Sequence, residues 1–399
     1  MIGPLGRLLG VRILLDVQFW FPTWMIFLLE QGYTPMQAAA VDAVFHAVLV
    51  LAEVPMGHLM DRIGRKRALL ATCALTVLVF AGIGLVSSVW LMAVVWGVWG
   101  MLWALASGLD STYAWELAES RPEELSPSRY LGRTRLAGGL AGVVSLLSAG
   151  LLLEVWPPLP YLVTSGLGLI ALLVAITVPS VPVPAAHASA ASPDSLRSSL
   201  RIPAVRTGIM LAAIVLTVGI SIRILIQPLG LQMGLGAAAI GVGYGMIAVA
   251  VALGGWLATR LAPRRHGRWI VFSIILMALS YVLVALTAHL GQAWLTLVIV
   301  LPAGTAAFGL GKTITDIWLI DAVGPRWRAT VLSLASAANG LAMVGLRPVI
   351  VAAGDAAEHS TAFFGWGVLS GLCGLLCLVL LRRVGPNSSA PKTSARESS

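Results

Sequence analysis

The stretch GHLMDRIGRKRALL, residues 57–70, sets a charged turn between two long apolar runs. Behind it lies AAAVDAVFHAVLVLAEVPM at 38–56, and ahead of it ATCALTVLVFAGIGL at 71–85. Each run, with its flanks, reaches the roughly 20 residues that cross the hydrocarbon of a bilayer as a helix. Arg62, Arg65, Lys66 and Arg67 load the turn with positive charge, and Asp61 is its acid. Gly57 and Gly64 bracket it; glycine tolerates the left-handed backbone of a tight reversal and the close approach of a neighbouring helix. The unit is a membrane hairpin with its turn in water.

The rest of the chain has the same character. Of 399 residues, 58% are hydrophobic and 11% charged, with mean hydropathy +0.91. Soluble domains carry about a quarter charged residues. A soluble enzyme, a disordered chain and a secreted disulfide scaffold are excluded. A β-barrel is disfavoured, because its strands alternate apolar and polar residues whereas these runs are continuous. The net charge of +9 reads as loop bases rather than as a nucleic-acid surface. Cys73, Cys373 and Cys377 lie in apolar runs without histidine clusters and read as buried free thiols.

Twelve spans follow, at about 11–30, 36–57, 68–87, 89–112, 131–153, 160–179, 206–230, 238–259, 269–288, 294–320, 329–353 and 362–381. They must be helices, because hydrocarbon offers backbone amides no partner. The first run carries no cleavage pattern and reads as a retained helix. With the N-terminus inside, 23 of the 26 Lys and Arg fall in inner segments, and the other three lie within spans. The outer loops hold Glu30, Glu154, Asp355 and Glu358 instead. The positive-inside rule therefore puts both termini in the cytoplasm of a multi-pass cytoplasmic-membrane protein.

The Pro-, Ala- and Ser-rich stretch 180–205 reads as a cytoplasmic linker between a six-helix bundle at 1–179 and another at 206–383. The polar tail 384–399 reads as disordered. GHLMDRIGRKR at 57–67 recurs, degraded, as GWLATRLAPRR at 255–265, an offset of 198 residues. Gly108 and Trp115 recur as Gly311 and Trp318 at an offset of 203. Two matches at nearly one offset argue for parallel half-repeats.

The turn at 57–67 resembles the loop between helices 2 and 3 of the major facilitator superfamily, G-x-L-x-D-R-x-G-R-K, with Gly57, Leu59, Asp61, Arg62, Gly64, Arg65 and Lys66 at the fixed positions. LAEVPMG at 51–57, SGLDSTYAWEL at 107–117 and RATVLSL at 328–334 are similar to members related to drug exporters and to uncharacterised bacterial carriers. The resemblance implies an all-α membrane fold of twelve helices in two pseudo-symmetric bundles. It also implies that Asp61, with Arg62 and Arg328, latches the two halves on the inner side. Two features common in exporters are missing: VVWGVWGMLWALA at 94–106 has no arginine, and RLAGGLAGVVSLLSAG at 135–150 has no Gly-Pro pair.

Ionisable groups within spans are costly and must pair or line water. The first half holds Asp16, Asp42, Glu53 and Asp110, and the second Arg223, Lys312, Asp316 and Arg347. Asp42, His46 and Glu53, spaced by four and seven, share one helix face. They read either as hydrogen-bonded packing or as a protonation stripe. Asp16 and Asp110 are further proton-coupling candidates. Asp42 and Arg347 fall at similar outer depth on spans 2 and 11, which the superfamily resemblance makes neighbours; they are expected to bridge when the outer side is closed. Lys312 and Asp316 are an i,i+4 pair, structural or cavity-lining. Arg223 is a candidate for an anionic solute group, and Gln227 ahead of Pro228, Arg347 and Gln18 of span 1 are further candidates for the substrate cavity. Trp96, Trp99 and Trp103 share a face, as a packing stripe or as an aromatic wall for a flat solute.

No phosphate-binding loop of the G-x-x-x-x-G-K-S/T kind occurs. The expected function is secondary transport of a small solute by alternating access, without cofactor, first as proton-coupled efflux of a drug-like compound or metabolite. Proton-coupled or downhill import is the alternative, and a polytopic enzyme or scaffold the alternative of another class. The expected partners are the solute, protons and lipid, with no nucleic acid, and the carrier is expected to act as a monomer.

Overall fold

The computed structural model describes residues 3–107, 109–120, 127–180, 201–261, 266–323 and 328–384. Every regular element among them is helical. In chain order they are α1 (Pro4–Asp16), α2 (Trp24–Glu30), α3 (Pro35–Ile63), α4 (Arg65–Leu85), α5 (Val89–Ala106), α6 (Leu109–Ser120), α7 (Pro127–Val155) and α8 (Leu159–Ile176). There follow α9 (Pro203–Ile220), a 3-10 turn (Ser221–Leu225), α10 (Ile226–Gln232), α11 (Ala237–Ala258) and α12 (His266–His289). The last are α13 (Ala293–Ala322, opening through a π-helical stretch at Thr296–Val300), α14 (Arg328–Ala357) and α15 (His359–Val384).

Eleven helical segments among the described residues are long and apolar enough to cross a membrane. The expected first span, 11–30, is the exception. It is α1 and α2 with a non-helical break at 17–23. Pro22 sits in that break; it lacks an N–H and its ring clashes with a preceding carbonyl. Span 7 departs from α-helix at Ser221–Leu225. Shifted back by the two repeat offsets, 203 and 198, that turn falls on residues 18–22, inside the first break, or on 23–27, at its end and in α2. Non-helical backbone at membrane depth is tolerated only where protein or water satisfies it.

The chain forms two compact units. The first comprises Met1–His187, Ile224–Met246 and Met343–Ala356, and the second Ala188–Arg223, Ile247–Ala342 and Ala357–Ser399. The first unit therefore takes in short stretches of spans 7, 8 and 11 from the second half of the sequence. Of the expected linker, 181–200 lie outside the described residues, as does the tail from 385.

In the first unit, Leu5, Leu8 and Val11 of α1 pack with Leu69 and Cys73 of α4, Tyr113 and Leu117 of α6, and Ala171 and Ala175 of α8. The start of α3 is fixed by a capping box. The Thr34 hydroxyl accepts from the Gln37 amide at 3.2 Å, and the Gln37 side chain accepts from the Thr34 amide at 2.9 Å. Gly64 alone separates α3 from α4, at φ +83°. A residue with a Cβ strains there, which is why the turn at 57–67 needs glycine at that place. Gly57 is different: an added Cβ meets nothing within 4 Å. The close approach expected at Gly57 is not made among the described residues.

The bases of the turn have specific partners. Arg65 Nε donates to Glu116 Oε1 at 3.0 Å. Lys66 Nζ donates to the Ile176 carbonyl at 3.0 Å, and Arg7 donates to the Thr177 carbonyl at 2.8 Å. The last carbonyls of α8 have no intrahelical amide and carry partial negative charge, so two cations there stabilise the helix end. Arg62 is exposed and lines a cleft of about 510 Å³ with Pro55, Met56, His58 and Leu59.

In the second unit, Val205 and Ala212 of α9 pack with Leu319 of α13 and with Val331 and Ala335 of α14. α15 presents Phe364, Val368, Leu372, Leu375 and Val379 outward, the apolar face a helix shows to lipid. Cys73 and Cys377 are buried and Cys373 half-buried, all as free thiols.

Candidate functional site

Three sets of polar contacts in the first unit join residues far apart in sequence. The first centres on Asp42, which is 5% exposed. Asp42 lies seven residues into α3, about 10 Å from its start at 1.5 Å per residue. Its Oδ2 accepts from Arg347 Nη1 of α14, and His46 Nε2 stands 3.7 Å from the same oxygen. The i,i+4 spacing of Asp42 and His46 puts both on one face of α3. Pro348 follows Arg347 within α14, where it removes one backbone hydrogen bond. Glu53, seven residues beyond His46, is half-buried and stands about 10 Å further along the axis.

The second set repairs the break of span 1. Gln227 of α10 is 1% exposed. Its Oε1 accepts from the Met25 amide at 2.8 Å and the Ile26 amide at 3.2 Å, the first-turn donors of α2. Its Nε2 donates to the Phe21 carbonyl at 3.4 Å and to the Tyr244 hydroxyl at 3.3 Å. Thr23, which precedes α2, makes no side-chain cap, so a glutamine more than 200 residues away in sequence takes that place. The Gln18 amide donates to Ser145 Oγ of α7 at 3.3 Å. Gln18 and Gln227 were expected to line a cavity. Gln227 instead has both ends of its amide committed to protein.

The third set joins α7 to α11. Glu154 Oε1 accepts from the Ala238 amide at 3.0 Å, placing a carboxylate at the positive end of α11. One turn earlier Gly150 lies against the Ala237 backbone so closely that an added Cβ would overlap its carbonyl. Gly150→Ala is therefore expected to destabilise the protein by about 1–3 kcal/mol, as overpacking does. Gly139→Ala, on the same helix with nothing within 4 Å, is expected to be neutral or mildly stabilising. Melting temperatures of the two variants in detergent check this.

The remaining candidates stand apart. Asp16 ends α1 and takes two bonds from Arg12, at 3.0 and 2.8 Å. Trp99 is 3% exposed, inside an aromatic cluster with Trp20 and Phe45 at 4.5 Å and Trp96 at 4.9 Å between ring centres. It offers no open wall in this conformation, whereas Trp103 is exposed. In the second unit Arg223 sits in the 3-10 turn, donates from Nε to the Gly219 carbonyl at 2.8 Å and lies 4.7 Å from the Phe308 ring centre. Lys312 and Asp316 pair at 2.5 Å on α13. The side chains of Asp61, Asp110 and Arg328 lie outside the described residues, and with them the expected inner latch.

Sequence reasoning missed Glu116, Glu154 and Ser145. Glu154 had been noted only as an outer-loop acid, although its place at the end of one span was a usable signal for a helix cap.

Residues 13–346 match the family model of the Major Facilitator Superfamily, more than four-fifths of the chain. The chain belongs to the Major Facilitator Superfamily. Solved transporters share its fold. The nucleoside transporter NupG superposes with a TM-score of 0.73 at 14% identity, over 94% of this chain and 99% of that one. A D-xylose-proton symporter gives 0.69 at 16% identity, over 94% and 95%. A bacterial homologue of the human lysosomal transporter Spinster gives 0.70 at 15% identity, over 98% and 97%. No significant match was found among curated protein sequences. As a superfamily member the chain is a multi-pass membrane transporter of a small solute and not an enzyme.

Proposed function

We propose that this superfamily member is a proton-coupled carrier of the cytoplasmic membrane with both termini inside. It acts as a monomer and exports a drug-like compound or metabolite, and the pair Asp42–Arg347 closes its outer side. The supporting observation is the sharing of one buried carboxylate oxygen between Arg347 and His46. Arg347 carries a permanent charge, whereas Asp42 and His46 can each gain or lose a proton. Protonation of Asp42 removes the partner of Arg347, so the closure is released by the ion that drives transport. The contacts of Gln227 with the start of α2 and of Glu154 with the start of α11 fall at the same ends of their spans and complete the closure. On the inner side, Asp61, Arg62 and Arg328 supply the opposite latch, a role the superfamily resemblance of residues 57–67 implies. Asp16, Glu53 and Asp110 are secondary proton-coupling candidates.

Export follows the likeness of residues 51–57 and 107–117 to exporter-related members. The solved relatives named above include a proton symporter, so the direction is tested directly. Protein in liposomes is given an imposed pH gradient and offered ethidium, uridine, D-xylose and dialanine. Antiport predicts movement of a solute against the proton flow, abolished by a protonophore. Movement with the proton flow makes the protein a symporter. Movement indifferent to the gradient removes proton coupling.

A further inference from the structure

One face of α3 is open from mid-span to the turn that ends the helix. Leu51, Val54, Pro55, His58, Leu59 and Arg62 are exposed, whereas Ala52 and Met60 are buried. Steps of three and four residues draw one stripe along a helix. At about 100° per residue, Pro55, His58 and Arg62 fall within about 40° of Leu51. Asp42, His46 and Glu53 fall about 140–180° away from it. The stripe therefore looks away from the face that carries the Asp42–Arg347 pair. Leu51 is 76% and Val54 69% exposed. Contiguous apolar side chains left open in this way mark a surface for membrane or a partner.

The stripe changes character along its length. Its apolar part leads to His58 and Arg62, which line the cleft of about 510 Å³ with Pro55, Met56 and Leu59. From Leu51 to Arg62 the helix rises about 16 Å. That is about one leaflet of a hydrocarbon core roughly 30 Å thick. The other bases near the turn are taken up by protein. Arg65 is held by Glu116, and Lys66 and Arg7 by carbonyls at the end of α8. Neither His58 nor Arg62 has a hydrogen-bond or ion-pair partner among the described residues. A guanidinium keeps its charge and matches the geometry of a phosphate. Placed at the end of an apolar stripe one leaflet long, it is complementary to an anionic headgroup whose acyl chain lies along the helix.

We propose that this face of α3 binds an anionic phospholipid. Arg62 and His58 take the phosphate in the cleft, and Leu59, Pro55, Val54 and Leu51 receive an acyl chain. The choice of the inner leaflet rests on the carrier reading above, which puts residues 57–67 in the cytoplasm. Because Arg62 also belongs to the inner latch of that reading, the test measures binding and not transport. A negative result leaves proton-coupled transport standing, and a failure of coupling leaves this site standing.

Full-length protein with Cys73, Cys373 and Cys377 replaced by alanine carries a bimane on Leu51→Cys. It is placed in nanodiscs whose two leaflets have the same composition, so the orientation of the chain does not enter. Quenching by dibrominated phosphatidylglycerol in phosphatidylcholine, and by the reverse mixture, gives the relative affinity at that place. A preference for phosphatidylglycerol of about fivefold or more is expected, as one base at an anionic surface supplies. The reference is Val94→Cys near the start of α5, where Val94 is 61% exposed and the preference should be absent. Arg62→Gln should abolish the preference at position 51, and Arg62→Lys should keep most of it. Arg67→Gln removes the same charge from the turn but off the stripe, and should leave it unchanged. Should Arg62→Gln lower the melting temperature by more than a few degrees, His58→Leu gives the second reading and should halve the preference. An absent preference at position 51 overturns the proposal. So does an equal loss with Arg67→Gln, which means diffuse surface attraction. Loss on adding inorganic phosphate, against chloride of equal ionic strength, also overturns it and makes the cleft a site for the soluble ion.

Discussion

Asp42→Asn should open the side of the protein that Asp42 and Arg347 close. The substitution keeps size and shape but leaves the guanidinium of Arg347 buried, 12% exposed, without its carboxylate. Breaking a buried pair by removing one partner typically costs about 3–5 kcal/mol. Set against a closed state favoured by a few kcal/mol, that is enough to invert the population, since 1.36 kcal/mol is a factor of ten. Thr23, which is wholly buried at the break of span 1, reports on the change. A cysteine at that position should react with a membrane-impermeant maleimide about a hundredfold faster in the Asp42→Asn background. Arg347→Gln should act in the same direction. Exchanging the two charges, Asp42→Arg with Arg347→Asp, should return the labelling rate toward the parent. If the exchanged protein labels as fast as the single variants, the two residues do not act as a pair.

Gln227→Ala should have the second-largest effect. It strips the Met25 and Ile26 amides of their acceptor at 2.8 and 3.2 Å and the Phe21 carbonyl of a donor. A buried donor left without a partner costs about 1–3 kcal/mol. Two such amides loosen the start of α2, and the expected loss is about 2–5 kcal/mol. Hydrogen exchange at residues 24–27 should show it as a local rise in opening, accompanied by a lower melting temperature. Tyr244→Phe separates the two halves of the amide's role. It takes away one acceptor of the Gln227 side-chain N–H and leaves the acceptor for Met25 and Ile26 in place, so its loss should be the smaller of the two. An equal loss would mean that the amide donors, rather than the helix cap, carry the stabilisation.

The fold was legible because a bilayer imposes one rule on every residue. Runs such as 71–85 can only be buried in lipid or protein, and the turn at 57–67 adds a spaced pattern that composition cannot produce. The bridge between Asp42 and Arg347 was also accessible: two opposite charges at similar depth on spans that the superfamily places side by side have few other ways to avoid the cost of isolation. The break at 17–23 was not legible. Val17 to Thr23 sits within a mainly apolar run, and hydropathy does not register backbone geometry. Pro22 was the available signal, and its weight depends on whether another segment supplies partners for the freed amides. Those partners come from Gln227, and no local pattern links residues 200 positions apart. Gln227 was accordingly read as cavity-lining, since a polar side chain at mid-span satisfies either reading. Glu154 was read only as an outer-loop acid; α7 runs on to Val155 and holds it, and its partner is a backbone amide and not a charge. The aromatic stripe of Trp96, Trp99 and Trp103 divides in the same way: spacing gives the shared face, but only packing reveals that Trp99 is enclosed by Trp20 and Phe45 while Trp103 is open.

If Asp42 and Arg347 form the gate, the ends of α3 and α14 that carry them must separate in every transport cycle. Cysteines one turn away on the same helix faces, at positions 38 and 351, leave Asp42 and Arg347 in place; in a background with Cys73, Cys373 and Cys377 replaced by alanine they can be joined by a short bifunctional methanethiosulfonate. Transport in liposomes of whichever probe solute the parent moves is then followed before linking, after linking and after reduction. Transport is expected to stop when the two are joined and to return when the link is reduced. Undiminished transport by the linked protein would contradict it.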